Sequence, residues 1–303
     1  MLLATVLLLT WNEKRSMPIP EAGGAVGFVG GELVVAGGTA WDGDTKLWLK
    51  DVQIFTPTKD SWRSGPPLPK GTAYGPFVDS ADGLEIFGGT DGKQVHRDSW
   101  KLNAAKTTWE FTGEVPADVL LGVAARSGGD VFLFGGCPDA ADLTRCSDGV
   151  WKRGIGGWAR VSTLPGGPMA LSAIASVGGQ IYVFGGCSMP TAGNVLNHAK
   201  AYRYDPRKNT WTTLRSLPSA SRGLSAISVD EQHIYLLGGY GTTFSADVLI
   251  YDTHADTYQK AVSLPVPLMA TPFVRDGHTL YGAGGEDRPR GRSARMLVGE
   301  IKK

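Results

Sequence analysis

Short apolar runs recur along this chain, and each ends in a pair of glycines. VVAGG ends at Gly38, EIFGG at Gly89, FLFGG at Gly136, YVFGG at Gly186, YLLGG at Gly239 and YGAGG at Gly285. Successive doublets lie 46 to 53 residues apart, and self-similarity at such a period marks a repeat architecture. Within a run the alternation has period two, as with Ile181 and Val183 in residues 179–184. That spacing places every second side chain on one face of a strand. Each run therefore predicts a strand. Its glycines allow backbone conformations and close approach that a Cβ would block.

Two further markers keep the same phase. Trp62, Trp109, Trp158, Trp211 and Tyr258 each follow a doublet, and the sixth aromatic of the series is Trp11, at the start of the chain. Proline-ended turns then come at Met17-Pro18-Ile19-Pro20, Leu68-Pro69, Val115-Pro116, Leu164-Pro165, Leu217-Pro218 and Leu264-Pro265. All three series count to six. This phase predicts that residues 7–15 supply the outermost strand of the last unit, so that the ring closes by pairing its two ends. Closure removes the exposed sheet edges that would template aggregation. The expectation is an all-β, six-bladed propeller, closed by its N-terminal strand, as a single domain over residues 1–303. In it the aromatic of each unit fills space between neighbouring blades.

Composition agrees: 42 Gly and 18 Pro in 303 residues suit a chain rich in turns. With 30 Lys and Arg against 29 Asp and Glu, the formal charge of +1 offers no overall attraction to nucleic acid or anionic lipid. The longest apolar run, residues 1–9, falls far short of the ~20 residues of a spanning helix, so no membrane partner is expected. It also lacks the basic start and small-residue cleavage site of a secretory signal, which favours a cytoplasmic over a periplasmic location. Three cysteines, Cys137, Cys146 and Cys187, are too few for a disulfide framework. A Cys137–Cys146 bridge within one loop is left open. No Cys/His spacing suggests a metal, and no cofactor is expected.

The six doublets, the trailing aromatics and segments such as Tyr204-Asp205-Pro206 through Trp211 resemble the kelch superfamily over essentially the whole chain. That resemblance implies the fold and leaves function open, since function lives in sites grafted onto folds. In an up-and-down blade the turns after the second strand and the crossings after the fourth emerge on one face. That face carries Trp41, Asp42 and Asp44; Asp91, His96 and Arg97; Arg145; Asn194, Asn197 and His198; Tyr240 and Phe244; and Glu286, Arg288, Arg290 and Arg292. The crossings add Tyr74, Met169, Arg222 and Met269.

Charge is densest in residues 285–293. There the order Gly-Glu, then Pro three residues and Arg six residues after the Glu, followed by Ser, is similar to the motif of the bacterial N-acetylneuraminate (sialic acid) mutarotases. Residues 23–38 and 71–75 resemble blades of that family in cyclically permuted order. Arg290 and Gly291 depart from its pattern. The resemblance implies Glu286 as the catalytic carboxylate and Arg292 as its partner at the substrate. Opening and reclosing a hemiketal needs a group that takes one proton and returns another, and no cofactor. Arg222, Arg288 and Arg290 would hold an acidic sugar, because arginine grips a carboxylate bidentately. Trp41, Tyr74, Asn197 and Tyr240 would complete the pocket.

The alternative is a non-enzymatic kelch module that binds a protein or glycan on the same face. A copper radical oxidase is disfavoured, because His96, His198, His233, His254 and His278 form no convincing ligand set. Neither a phosphate loop nor a serine elbow is present.

Overall fold

A computed structural model describes residues 8–80 and 82–302. Six four-stranded antiparallel sheets account for nearly all of its regular structure. From the inside outward, blade 1 consists of Ala25–Val29, Glu32–Ala36, Val52–Thr56 and Ser61–Ser64. Blades 2 to 5 begin at Phe77–Ser80, Val123–Ser127, Ala173–Val177 and Ser225–Ser228. Blade 6 contains Phe273–Asp276, Thr279–Ala283 and Met296–Lys302, and its fourth strand is Leu8–Lys14. Each innermost strand touches the next, and the sixth touches the first. The chain is a six-bladed propeller.

Closure follows the expected phase. Leu8 pairs with Lys302 and Lys14 with Met296, with Trp11 opposite Gly299. Leu7, expected at the start of this strand, lies outside the described residues.

The apolar core is distributed between blades rather than gathered in one centre. Val35 and Phe55 of blade 1, for instance, pack with Tyr281 and Met296 of blade 6, and equivalent clusters fill the other junctions. The outer aromatics add a polar link. Trp11 donates its indole N–H to the Val262 carbonyl, Trp62 to Arg15, Trp109 to Pro66 and Trp211 to the Ser162 hydroxyl, while the Tyr258 hydroxyl donates to Arg215. In every case the acceptor belongs to the preceding blade. Trp158 instead packs edge-on against Phe87, centroids 5.7 Å apart. The residue before each turn proline is buried, from Met17 to Leu264. Its N–H is also held, as in Leu68 to Lys50 and Leu264 to Ala246.

The doublets behave as the sequence predicts in five blades, where the second strand stops just before them. Their glycines have φ between 60° and 110°, and a Cβ on Gly285 would meet Thr271 Oγ1 at 1.7 Å. Blade 2 differs. Its strand Gly83–Thr90 runs through the doublet, and Gly89 pairs with His96. The cause is a short turn, closed by the Asp91 carboxylate accepting from the N–H groups of Lys93 and Gln94. His96 is consequently a strand residue with 6% exposure, and burial lowers its pKa. Arg97 pairs with Asp118 at 2.8 Å.

Candidate functional site

The residue following each doublet bridges the crossing that enters its own blade: Thr39 with Ala22, Thr90 with Ala73, Cys137 with Leu120, Cys187 with Ala170, Tyr240 with Arg222 and Glu286 with Met269. Turns and crossings therefore share one face. One residue after the bridge, Gly23, Tyr74, Leu121, Leu171, Gly223 and Ala270 all adopt the left-handed region, φ 51° to 77°. From Tyr74 onward each donates its N–H to the carbonyl of the one before, every bond 2.8 Å long. This collar of main chain fixes the mouth of the channel, and no single-residue pattern in the sequence announces it.

Inside the collar lies a cavity of about 940 Å³, a size that suits a small molecule or a short peptide segment. Of the nine residues expected at a site, Glu286 and Tyr74 line it. Arg292 stands behind Glu286, its Nη1 2.9 Å from Oε1, while its Nε donates to the carbonyl (3.1 Å) and hydroxyl (3.0 Å) of Thr39. Arg292 is almost fully buried, whereas Glu286 retains about a fifth of its exposure. Burial raises the Glu286 pKa, opposed by the positive charges of Arg292, Lys46 and Arg222. The guanidinium expected to partner Glu286 at a substrate is thus already engaged by protein oxygens.

The remaining candidates divide into two groups. Arg222 donates to Asn197 Oδ1 at 2.6 Å and lies 4.6 Å from the Tyr240 ring, and Asn197 in turn donates to the carbonyls of Tyr240 and Gly241. These three form a braced cluster between blades 4 and 5. Arg288 and Arg290 are mostly exposed, facing Asp287 and Asp44. Trp41 lies between cations, 5.6 Å from Arg290 and 6.0 Å from Arg292. Met169, expected near the mouth, is a core residue between blades 3 and 4, 2% exposed.

Three residues that the sequence reading passed over shape the site. Lys46 and Trp48 line the cavity, with Lys46 Nζ donating to the Tyr74 hydroxyl at 2.8 Å and lying 4.7 Å from the Trp48 ring. They sit on the second arm of the hairpin Thr39–Asp42/Thr45–Trp48, whose two-residue Gly43-Asp44 turn was the available signal. The third is Glu21, wholly buried where blade 6 meets blade 1. Its Oε2 accepts from Gly24 N–H at 3.0 Å, and its Oε1 has no partner. Burial pushes its pKa up to about 8, against the Gly24 bond and the charge of Arg292.

Cys137 and Cys146 form a disulfide, and Cys187 is a buried free thiol beside them. Among the described residues, no group of three or more His, Cys, Asp or Glu side chains is arranged to hold a metal. No helix among them is long and apolar enough to cross a membrane.

The sequence matches the KLHDC2/KLHL20/DRC7 Kelch-repeats domain over residues 84–286 and the Kelch motif over residues 22–69. It is 28% identical to spermatocyte protein spe-26 of Caenorhabditis elegans over 242 residues, covering 78% of this chain and 33% of that protein. Kelch-like protein 35 of Mus musculus is 25% identical over 257 residues, covering 84% of this chain and 42% of its own length. Beta-scruin of Limulus polyphemus is 36% identical over 87 residues, 28% of this chain and 10% of that protein. The chain thus spans less than half the length of these relatives. None of the three is named a sialic acid mutarotase and one is named a Kelch-like protein, so with the family models they support the broader resemblance, and the narrower one rests on the loop motif and the segments 23–38 and 71–75 alone.

Proposed function

Since the chain belongs to the KLHDC2/KLHL20/DRC7 Kelch-repeats family, we propose that it is a non-enzymatic binding module that holds a segment of a protein partner on the loop face. The supporting observation is the distribution of exposed apolar side chains on that face. Leu47 (40%), Val195 (39%) and Leu196 (51%) sit on hairpins 39–48 and 187–197 of blades 1 and 4. They flank the collar, where apolar and aromatic groups stand beside cations, as at interface centres. Arg292, tied to Thr39 and Glu286, acts here as a joint between blades 6 and 1.

One observation favours a second reading, an acidic-sugar mutarotase. Glu286 lines the cavity with its carboxyl pKa raised by burial, and a group that both takes and returns protons near neutral pH needs such a shift. The two readings part in one comparison. NMR exchange spectroscopy of N-acetylneuraminate anomers should show the buffer rate with wild type and with Glu286→Gln. Acceleration by wild type that Glu286→Gln abolishes would overturn the binding-module reading. That reading also expects partner capture to be lost in Leu47→Asp/Leu196→Asp and kept in Glu286→Gln.

A further inference from the structure

The cavity wall contributed by blade 3 is built unlike the loops of blades 1, 2 and 4. Blades 1 and 4 carry hairpins whose arms pair with each other, and in blade 2 the strands themselves run on into a short turn. Residues 138–145 have no such support. Among the described residues their hydrogen bonds and ion pair close on themselves: Asp139 accepts from Ala141, Asp142 from Thr144, Leu143 from Cys146, and Arg145 faces Asp142. Two things tie the segment down. One is Leu143, buried among Cys137, Cys146, Ala170 and Cys187, and the other is the Cys137–Cys146 disulfide across its neck. Pro138, Asp139, Ala140 and Ala141 line the cavity, so whatever holds this segment also holds that wall. A cross-link at the neck of a loop restricts the conformations open to it.

We propose that the Cys137–Cys146 bond is a redox clasp, and that its reduction by an external dithiol frees residues 138–145 and opens the cavity on the blade 3 side. A thiolate of the dithiol attacks Cys146 Sγ, Cys146 being the less buried residue of the pair at 8% exposure against 0% for Cys137. Cys137 leaves as a thiolate and takes a proton from water. The second thiol of the reductant then attacks its own sulfur in the mixed disulfide and expels Cys146. The protein gains two electrons and two protons, and the dithiol ends as a cyclic disulfide. Cys187 does not intercept this exchange. It is buried, and burial raises its pKa, which keeps it a thiol rather than an attacking thiolate. The clasp depends on no particular reading of what the cavity binds.

Hydrogen–deuterium exchange read by mass spectrometry, on the whole chain before and after dithiothreitol, tests this directly. Exchange in residues 138–145 should speed up about tenfold or more on reduction and recover on reoxidation, because local opening there no longer works against the cross-link. The blade strands should be unchanged. Cys187→Ser should respond as wild type does, and Cys146→Ser should show the fast loop whether or not reductant is present. If Cys146→Ser does not fold, the oxidised and reduced wild type carry the comparison alone. Equal protection of 138–145 in the two states, loss of protection throughout the six blades, or a response abolished by Cys187→Ser would each overturn the proposal.

Discussion

Arg292 Nη1 lies 2.9 Å from Glu286 Oε1 while Arg292 Nε lies 3.1 Å from the Thr39 carbonyl oxygen, so one side chain of blade 6 also holds the first hairpin of blade 1. Arg292→Met keeps the apolar stem but strands the Glu286 carboxyl in a largely buried place and removes both bonds to Thr39, whose carbonyl keeps only the Ala22 N–H. Removing one partner of a buried pair in this way should cost about 3 kcal/mol. Glu286→Gln leaves an acceptor for Nη1 and both bonds to Thr39, and should cost about 1 kcal/mol or less. Urea unfolding followed by tryptophan fluorescence separates the two. Equal losses would mean that the guanidinium's work is done toward the carboxylate alone.

Glu21 makes the same junction sensitive to pH. Its folded pKa, about 8 because of burial, lies above the unfolded value of about 4.3. Between these values the unfolded chain releases a proton that the folded chain keeps. The stability contribution is therefore fully present below about pH 4.3 and is lost as pH rises to about 8, with a slope of up to about 1.4 kcal/mol per pH unit. Glu21→Gln keeps the shape and an acceptor for Gly24 N–H while removing the ionisation. It should flatten the thermal stability profile between pH 5 and 8 and be the more stable protein at pH 8. Parallel profiles for the two proteins would place the pH dependence elsewhere.

The ring was legible because three independent markers repeat in one phase, and Trp11 falls in the gap left at the end of that series. What repeats shows in a sequence; what departs from the repeat shows less. The face departs most. Thr39 to Trp48 folds into its own hairpin, whereas blade 2 turns back within a few residues of its doublet, and loop length alone does not distinguish those outcomes. Glu286 and Arg292 are brought together in the sequence only by the resemblance of their loop to the mutarotase motif, and their third partner, Thr39, lies near the other end of the chain. Glu21 was invisible for a related reason. Burial of a carboxylate depends on the blade that closes over it, and Gly284 and Arg292, which crowd Glu21, lie about 260 to 270 residues further along the sequence.

Glu85 joins blades 2 and 3 much as Arg292 joins blades 6 and 1. At 1% exposure it takes both terminal nitrogens of Arg153, at 2.5 and 2.8 Å, and the Thr112 hydroxyl at 2.8 Å. Arg153 also lies beside the touching rings of Phe87 and Trp158, 5.4 and 5.6 Å away, which supplies the contact that a missing indole bond leaves unmade in this junction. Glu85→Ala would leave a guanidinium without its acceptor at a buried joint, at a cost of about 3 to 5 kcal/mol. Calorimetry should show a lower melting temperature for Glu85→Ala than for Thr112→Val, which removes one bond worth about 1 kcal/mol. The reverse order would show that the aromatic stack alone holds the two blades.

The closing strand depends on a fit between Trp11 and a glycine. The indole covers Gly299, where a Cβ would meet the ring at 2.6 Å, lies edge-on to Phe273 at 5.7 Å and donates to Val262 of blade 5. Trp11→Ala removes all three contacts at a partly buried position and should cost about 3 kcal/mol, the lower end of the range for a large aromatic truncation. Gly299→Val would push the indole off the sheet from below and should cost about as much, for overpacking a joint that cannot relax. Because both changes break one contact, the double variant should lose clearly less than the two single losses combined. Hydrogen exchange should show residues 8–14 unprotected in each, with the other blades intact. Additive losses, or protection of 8–14 that survives Gly299→Val, would mean that main-chain pairing with Met296–Lys302 suffices to close the ring.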